Sequence, residues 1–105
     1  MGSSDDGWSD PGMLVLGSLA GGPKHGYAIT EDVRQTAAVT LGPGTLYGAL
    51  ARLESRGFVR ALPTEDRRKP YELTAAGATR LQEQAQAMRE FSRTALRRLA
   101  AGGAA

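Results

Sequence analysis

The sequence contains no cysteine, which removes disulfides, thiol nucleophiles and thiolate metal sites from consideration. It has a single histidine, His25, and a single tryptophan, Trp8. One imidazole without a partner of metal-ligating or nucleophilic type makes neither a metal centre nor a catalytic triad. A hydrogen bond to backbone or to a phosphate is the expected use of His25. The glycine-rich segment from Gly21 to Gly26 lacks the Gly-Lys-Ser/Thr ending of a phosphate-binding loop, and no strand precedes it as a dinucleotide fingerprint requires. No catalytic residue, cofactor or metal is therefore expected, and an enzyme is the least favoured class. No apolar run approaches the roughly 18 residues of a membrane span, the compact one being Met13 to Leu16. The first residues are acidic and polar rather than basic and then apolar, so no signal peptide is visible and a cytoplasmic location is expected.

What is present suits one small domain of 105 residues, 41% hydrophobic and 23% charged. A chain of this size gains from pairing with a second copy. The net charge is only +2, but it is segregated. Asp5, Asp6 and Asp10 mark an acidic start with no base. Arg52, Arg56, Arg60, Arg67, Arg68 and Lys69 outnumber Glu54, Glu65 and Asp66 in the middle, and the last third carries five arginines against Glu83 and Glu90. That distribution suits an anionic partner.

Taken in order, residues 1–9 read as a flexible segment in which Trp8 is reserved for packing on a neighbouring helix or a partner subunit. Asp10 and Pro11 read as the N-cap and first turn of an apolar helix that ends at Gly21, Gly22 and Pro23. After a tight connector, Ile29 and Val33 mark a second helix from Tyr27 to about Ala37. Thr40 to Gly42 form a short link, with room for a single β-bridge. Pro43 opens a third helix whose leucines 46, 50 and 53 share one face, and Gly57 stops it. Its other face is nearly bare, with Gly44, Gly48, Ala51 and Ser55 flanked by Thr45 and Arg52. Phe58 to Leu62 and Lys69 to Thr74 form a hairpin around a basic tip. Pro70 has no N–H for a ladder, which predicts an edge strand or pairing only from Tyr71 onward. Thr74 caps a long last helix to about Leu99, with residues 101–105 expected to fray. Leu81, Ala85, Met88, Ser92, Ala95 and Leu99 repeat at 4-3-4-3-4 spacing, widened by Phe91 and Leu96. Such a stripe outruns the small core, so its far half is expected on a second copy.

This order gives the fold class: mainly α with a small β-hairpin, a winged helix-turn-helix over residues 10–74 and a dimerisation helix over 75–100. The segments Leu16 to Tyr27, Gly44 to Glu54, Gly57 to Val59 and Arg67 to Gly77 together resemble the PadR family of bacterial transcriptional regulators. The resemblance implies a homodimeric, cytoplasmic, DNA-binding repressor released by a small-molecule effector of unknown identity. The short length and single terminal helix resemble the smaller PadR subfamily. Some of its members bind flat aromatic compounds between subunits through a tryptophan on that helix. Here the helix has Phe91 and no tryptophan, so drug sensing does not carry over.

The expected partner is double-stranded DNA with a pseudo-palindromic operator. Thr45, Gly44 and the N–H groups of the third helix can seat a phosphate. Gly48 allows close approach to DNA or to a neighbouring helix, Tyr47 packs by its ring and reaches out with its hydroxyl, and Arg52 is the candidate for guanine. Arg67, Arg68 and Lys69 of the wing would meet backbone or minor groove, and Lys24 and His25 flanking phosphates. The alternative is a winged helix that senses ligands or binds protein without using DNA specifically.

Overall fold

The structure is a computed structural model that describes residues 10–102. Residues 1–9, the expected role of Trp8 and the last three residues lie outside the described residues. Seven elements follow one another: α1 (Pro11–Leu19), β1 (Lys24–His25), α2 (Gly26–Ala37), α3 (Pro43–Ser55), β2 (Val59–Ala61), β3 (Pro70–Leu73) and α4 (Ala75–Gly102).

Local chemistry sets the boundaries. The Asp10 carboxylate accepts the Met13 N–H at 3.0 Å and Pro11 occupies the first turn, which fixes the start of α1. The His25 side chain caps α2, and Ala38 closes that helix in the left-handed region with φ 58°. Pro43 begins α3 behind Gly42, which offers no side-chain cap. The Thr74 hydroxyl accepts the Gly77 N–H at 3.0 Å and donates to the Gly57 carbonyl at 2.6 Å, so one side chain starts α4 and ties it to the α3–β2 turn.

Packing centres on α1, which touches α2, α3, α4 and β3. Val15, Leu16 and Leu19 meet Ile29 and Val33 of α2 and Leu46, Ala49, Leu50 and Leu53 of α3, with Leu41, Val59 and Tyr71 completing the core. Each fully buried aliphatic side chain contributes about 1.5–3 kcal/mol relative to exposure. Gly77 is where α4 crosses the sheet. A Cβ there would overlap the Phe58 carbonyl, with the carbonyl carbon at 2.9 Å. Glycine is therefore required for α4 to lie this close to the strand entering the wing.

Four expectations need correction. The connector before α2 contains a strand: Lys24 and His25 pair antiparallel with Tyr71 and Pro70, so the hairpin is part of a three-stranded sheet ordered β1-β3-β2. Consequently β3 is the central strand rather than an edge, while its ladder with β2 begins at Tyr71, the other alternative expected. Pro70 is tolerated because it is the first residue of β3, where only its carbonyl is needed, and that accepts the Leu62 N–H at 2.8 Å. Thr40 to Gly42 form no bridge; Leu41 is simply buried in the core. Finally, α4 continues through Ala101 and Gly102, since alanine-rich sequence favours helix strongly enough to carry it past Leu99.

The 28 residues of α4 span about 42 Å at 1.5 Å per residue. Its first half lies on α1, with Leu81 packed against the core. Beyond that the helix projects from the body, which accounts for overall dimensions of 58 × 28 × 21 Å.

Candidate nucleic-acid interface

The leucine face of α3 is buried and its opposite face is open. Gly44, Thr45, Ala51, Arg52 and Ser55 are exposed, with Gly48 half-buried among them. A Cβ at Gly44 would meet nothing within 4 Å, and one at Gly48 would meet only the Arg52 guanidinium at 3.6 Å. No neighbouring helix of the chain accounts for the small residues on this face. The Arg52 side chain folds back along α3 toward Gly48 and finds no ion-pair partner among the described residues.

At the N-terminal end of α3, Tyr47 leans over Gly26 at the start of α2. A Cβ on Gly26 would lie 2.8 Å from the ring carbon bearing the hydroxyl. Tyr47 is nevertheless 52% exposed, so its hydroxyl end lies against Gly26 while much of the side chain stays open to solvent. This contact sets the angle between the two helices of the turn.

The wing is tighter than its composition suggests. Glu65 and Arg68 exchange two backbone hydrogen bonds of 2.8 Å around a two-residue turn. Asp66 and Arg67 both hold positive φ, 50° and 67°, the signature of the primed turns whose twist matches a hairpin. Neither is glycine, and each such residue costs on the order of 1 kcal/mol. The strained turn holds Arg67 at the tip, with Arg68 and Lys69 just behind it. Lys69 also lies over the Tyr71 ring, 6.0 Å from its centroid. On β2, Arg60 donates from Nε to Glu72 of β3 at 2.9 Å, so its charge is neutralised within the sheet.

Between wing and helices lies a cavity of about 650 Å³ bordered by His25, Tyr27, Tyr47, Arg67, Arg68 and Lys69, with Gly26 and Tyr71 at its base. It has three cations, an imidazole and every tyrosine of the chain. No carboxylate borders it. His25 links its two walls. Its Nδ1 accepts the Ala28 N–H of α2 at 3.4 Å, and its Nε2 lies 3.1 Å from Nη1 of Arg68 in the wing. Lys24, grouped with His25 from the sequence, behaves differently: its ammonium donates to the carbonyls of Ser18 and Gly22 and closes the C-terminal end of α1. Arg34, away from the cavity on α2, is paired with Glu31 at 2.8 Å. The hydrogen bond and charge of Glu31 raise its pKa further above the usual arginine value.

The chain thus brings together His25, Tyr47 and the three wing cations at one cavity, while Thr45, Gly48 and Arg52 lie on the open face of α3 and Arg52 borders a different cavity with Asp10, Arg56 and Arg80. Tyr27 and Tyr71 join the cavity without having been marked in the sequence. The outer stripe of α4 leaves Phe91, Leu96 and Leu99 exposed at 74%, 64% and 65%. Met88 lines an apolar groove of about 280 Å³ with Met13, Leu14 and Leu81. Ala85 and Ser92 are exposed and Ala95 is half-buried. Among the described residues no cluster of acidic or histidine side chains could hold a metal, and no helix is long and apolar enough to cross a membrane.

Comparison with known proteins agrees with this geometry. A transcriptional regulator from Clostridium thermocellum superposes with a TM-score of 0.78 at 25% identity, covering 92% of this chain and 97% of that one. A PadR family transcription regulator from Clostridium difficile R20291 superposes with a TM-score of 0.76 at 28% identity, covering 85% and 97%. An uncharacterised 37.1 kDa protein in transposon TN4556 of Streptomyces fradiae is 49% identical over 84 residues. That match covers 80% of this chain, which spans 24% of the length of the Streptomyces protein. Residues 15–83 match the transcriptional regulator PadR-like family, from the middle of α1 into α4. Its members are regulators of transcription, not enzymes. With the three helices, the small sheet and the basic wing in this order, the chain is a winged-helix member of the PadR-like family of transcriptional regulators.

Proposed function

We propose that this chain binds operator DNA as a homodimer in the cytoplasm and acts as a repressor, with α3 in the major groove and the wing on the flanking backbone. The observation that carries the reading is the open face of α3 beside a cavity that presents cations, hydroxyls and an imidazole without a carboxylate. Small residues let the α3 backbone approach base edges, and Arg52 is the side chain long enough and free enough to read a guanine. Arg67, Arg68 and Lys69 supply phosphate contacts. Because few donors line the α3 face, sequence choice rests on DNA shape together with one or two base contacts.

Dimerisation is supported by the apolar surface that the single chain leaves in water. Phe91, Leu96 and Leu99 project beyond the core on α4, while Met13, Leu14 and Met88 leave an apolar groove near its base. A two-fold axis that places the far half of α4 on the partner's groove covers both surfaces reciprocally. Two recognition helices then read half-sites about one helical turn apart. The same groove is lined by Ser18, whose buried hydroxyl has no hydrogen-bond partner among the described residues, and is the natural place for a small effector to influence the seam.

Selection from random duplex DNA at physiological salt tests the reading, followed by anisotropy titrations over a range of salt. A pseudo-palindrome should emerge, and replacing Arg67 and Arg68 by alanine should weaken binding and flatten the salt dependence. Failure to enrich any duplex would favour the alternative of a winged helix that does not use DNA specifically.

A further inference from the structure

We propose that His25 and Arg68 form a two-donor seat for a single phosphodiester oxygen, and that this anion lets the cap of α2 and the wing be held at the same time. The inference rests on the DNA-binding reading above and adds a specific division of labour within it.

It follows from the valence of the imidazole. A neutral histidine has one nitrogen that accepts and one that donates. As the cap of α2, His25 uses Nδ1 to accept the Ala28 N–H, so its proton must sit on Nε2. That nitrogen is 3.1 Å from Nη1 of Arg68, and a guanidinium only donates. Two donors therefore face each other without an acceptor between them. In the other tautomer Nε2 accepts from Arg68, but Nδ1 then carries a proton directed at the Ala28 N–H and the cap is lost. In the free chain the cap and the wing tether exclude one another.

An anionic oxygen placed between Nε2–H and the guanidinium accepts from both and removes the conflict. The surroundings fix the side from which it comes. Glu65 and Asp66 border the far side of the same pair, in a second cavity of about 420 Å³, and repel an anion there. The near side opens into the cavity of Tyr27, Tyr47, Arg67 and Lys69, which has no carboxylate. No ion pair engages Arg68 among the described residues. The first N–H groups of α2 add their dipole to the same point.

The two residues should therefore leave different signatures. Arg68 neutralises a phosphate, so Arg68→Ala should weaken binding and reduce the slope of log K against log salt by about 0.9. His25 contributes a directed hydrogen bond and no counterion. His25→Asn keeps an acceptor able to cap α2 and removes the Nε2–H. It should weaken binding about tenfold, as expected for a hydrogen bond to a charged group, with the slope unchanged. In the Arg68→Ala background the same change should lose most of its effect, because both act on one oxygen.

The test uses the full chain and a short duplex of arbitrary sequence at low salt, which engages backbone contacts without requiring the operator. As the sole histidine, His25 gives a single pair of imidazole ¹⁵N signals from which the tautomer is read directly. The proposal expects the duplex to drive the neutral ring to the Nε2–H form, and a non-additive double-mutant cycle. An Nδ1–H ring in the complex, or additive effects of the two substitutions, overturns it. If the intact chain binds no duplex, the DNA reading fails by itself, and dimethyl phosphate then probes the seat alone. Shifts at Nε2 that vanish in Arg68→Ala support the seat, and their absence overturns it.

Discussion

Gly48 offers a direct test of whether the bare face of α3 exists for DNA. It lies inside a 13-residue helix, where glycine is about 1 kcal/mol less favourable than alanine. An added methyl would meet only the Arg52 guanidinium, at an ordinary van der Waals distance of 3.6 Å. Gly48→Ala should therefore stabilise the free protein by about 1 kcal/mol, raising Tm by about 4–8 °C for a domain of this size. The comparison must be made at fixed protein concentration, because the proposed dimerisation would make Tm concentration-dependent. On DNA the sign reverses. A methyl on a backbone that already touches base edges or sugars forces the helix outward and weakens the contacts along it. Affinity should fall at least tenfold, which is about 1.4 kcal/mol. Thermal unfolding followed by anisotropy on the selected operator reads both effects in one variant. A lower Tm would mean that another surface already covers Gly48. A raised Tm with unchanged affinity would mean that this face does not approach the duplex. Either result would falsify the assignment of α3 as the reading helix.

Other substitutions divide structural from functional roles. Gly77→Ala forces a methyl into the Phe58 carbonyl, and both partners are backbone. It should destabilise the fold by about 1–3 kcal/mol in denaturant titrations, with wild-type stability contradicting the close crossing of α4. Arg67→Gly replaces a strained residue at φ 67° by the one that primed turns favour. It should gain about 1 kcal/mol of stability while losing DNA affinity and salt slope; a loss of stability would disprove the strain. Leu96→Glu places a charge on the exposed α4 stripe. It should leave secondary structure intact by circular dichroism and shift sedimentation from dimer to monomer, and an unchanged dimer would move the seam elsewhere.

The elements that could be read in the sequence are those whose signal is local. Asp10 with Pro11, Pro43, Gly57 and Thr74 each fix a boundary by chemistry within three or four residues, and the leucine spacing of α3 follows from one helical period. What the sequence hides depends on residues far apart in the chain. The strand β1 has two residues, too few for any periodicity, and exists only because Tyr71 and Pro70 come to lie beside it. Pro70 looked like an edge because its missing N–H is visible in sequence, whereas its position at the start of a central strand is not. Likewise, Gly26 and Gly77 show as glycines, but the Tyr47 ring and the Phe58 carbonyl that require them are tertiary facts. Lys24 and His25 are neighbours with one expected role, yet one turns inward to the end of α1 and the other faces the wing.

A chain of net charge +2 still leaves most of its cations without a carboxylate partner among the described residues. Away from the proposed interface, Arg34 pairs with Glu31, Arg60 with Glu72 and Arg93 with Glu90, while Arg56, Arg80, Arg89, Arg97 and Arg98 have no ion pair among the described residues. Lys24 is held by two carbonyls. Arg52, Arg67, Arg68 and Lys69 have no carboxylate partner among the described residues, and all border α3 or the wing. A cationic wing attracts any duplex at long range, but it cannot distinguish one sequence from another. The small-residue face can discriminate only after contact, by rejecting duplexes whose groove it does not fit. In the proposed recognition of DNA, strain at Asp66 and Arg67 would belong to the first step and the open glycines of α3 to the second.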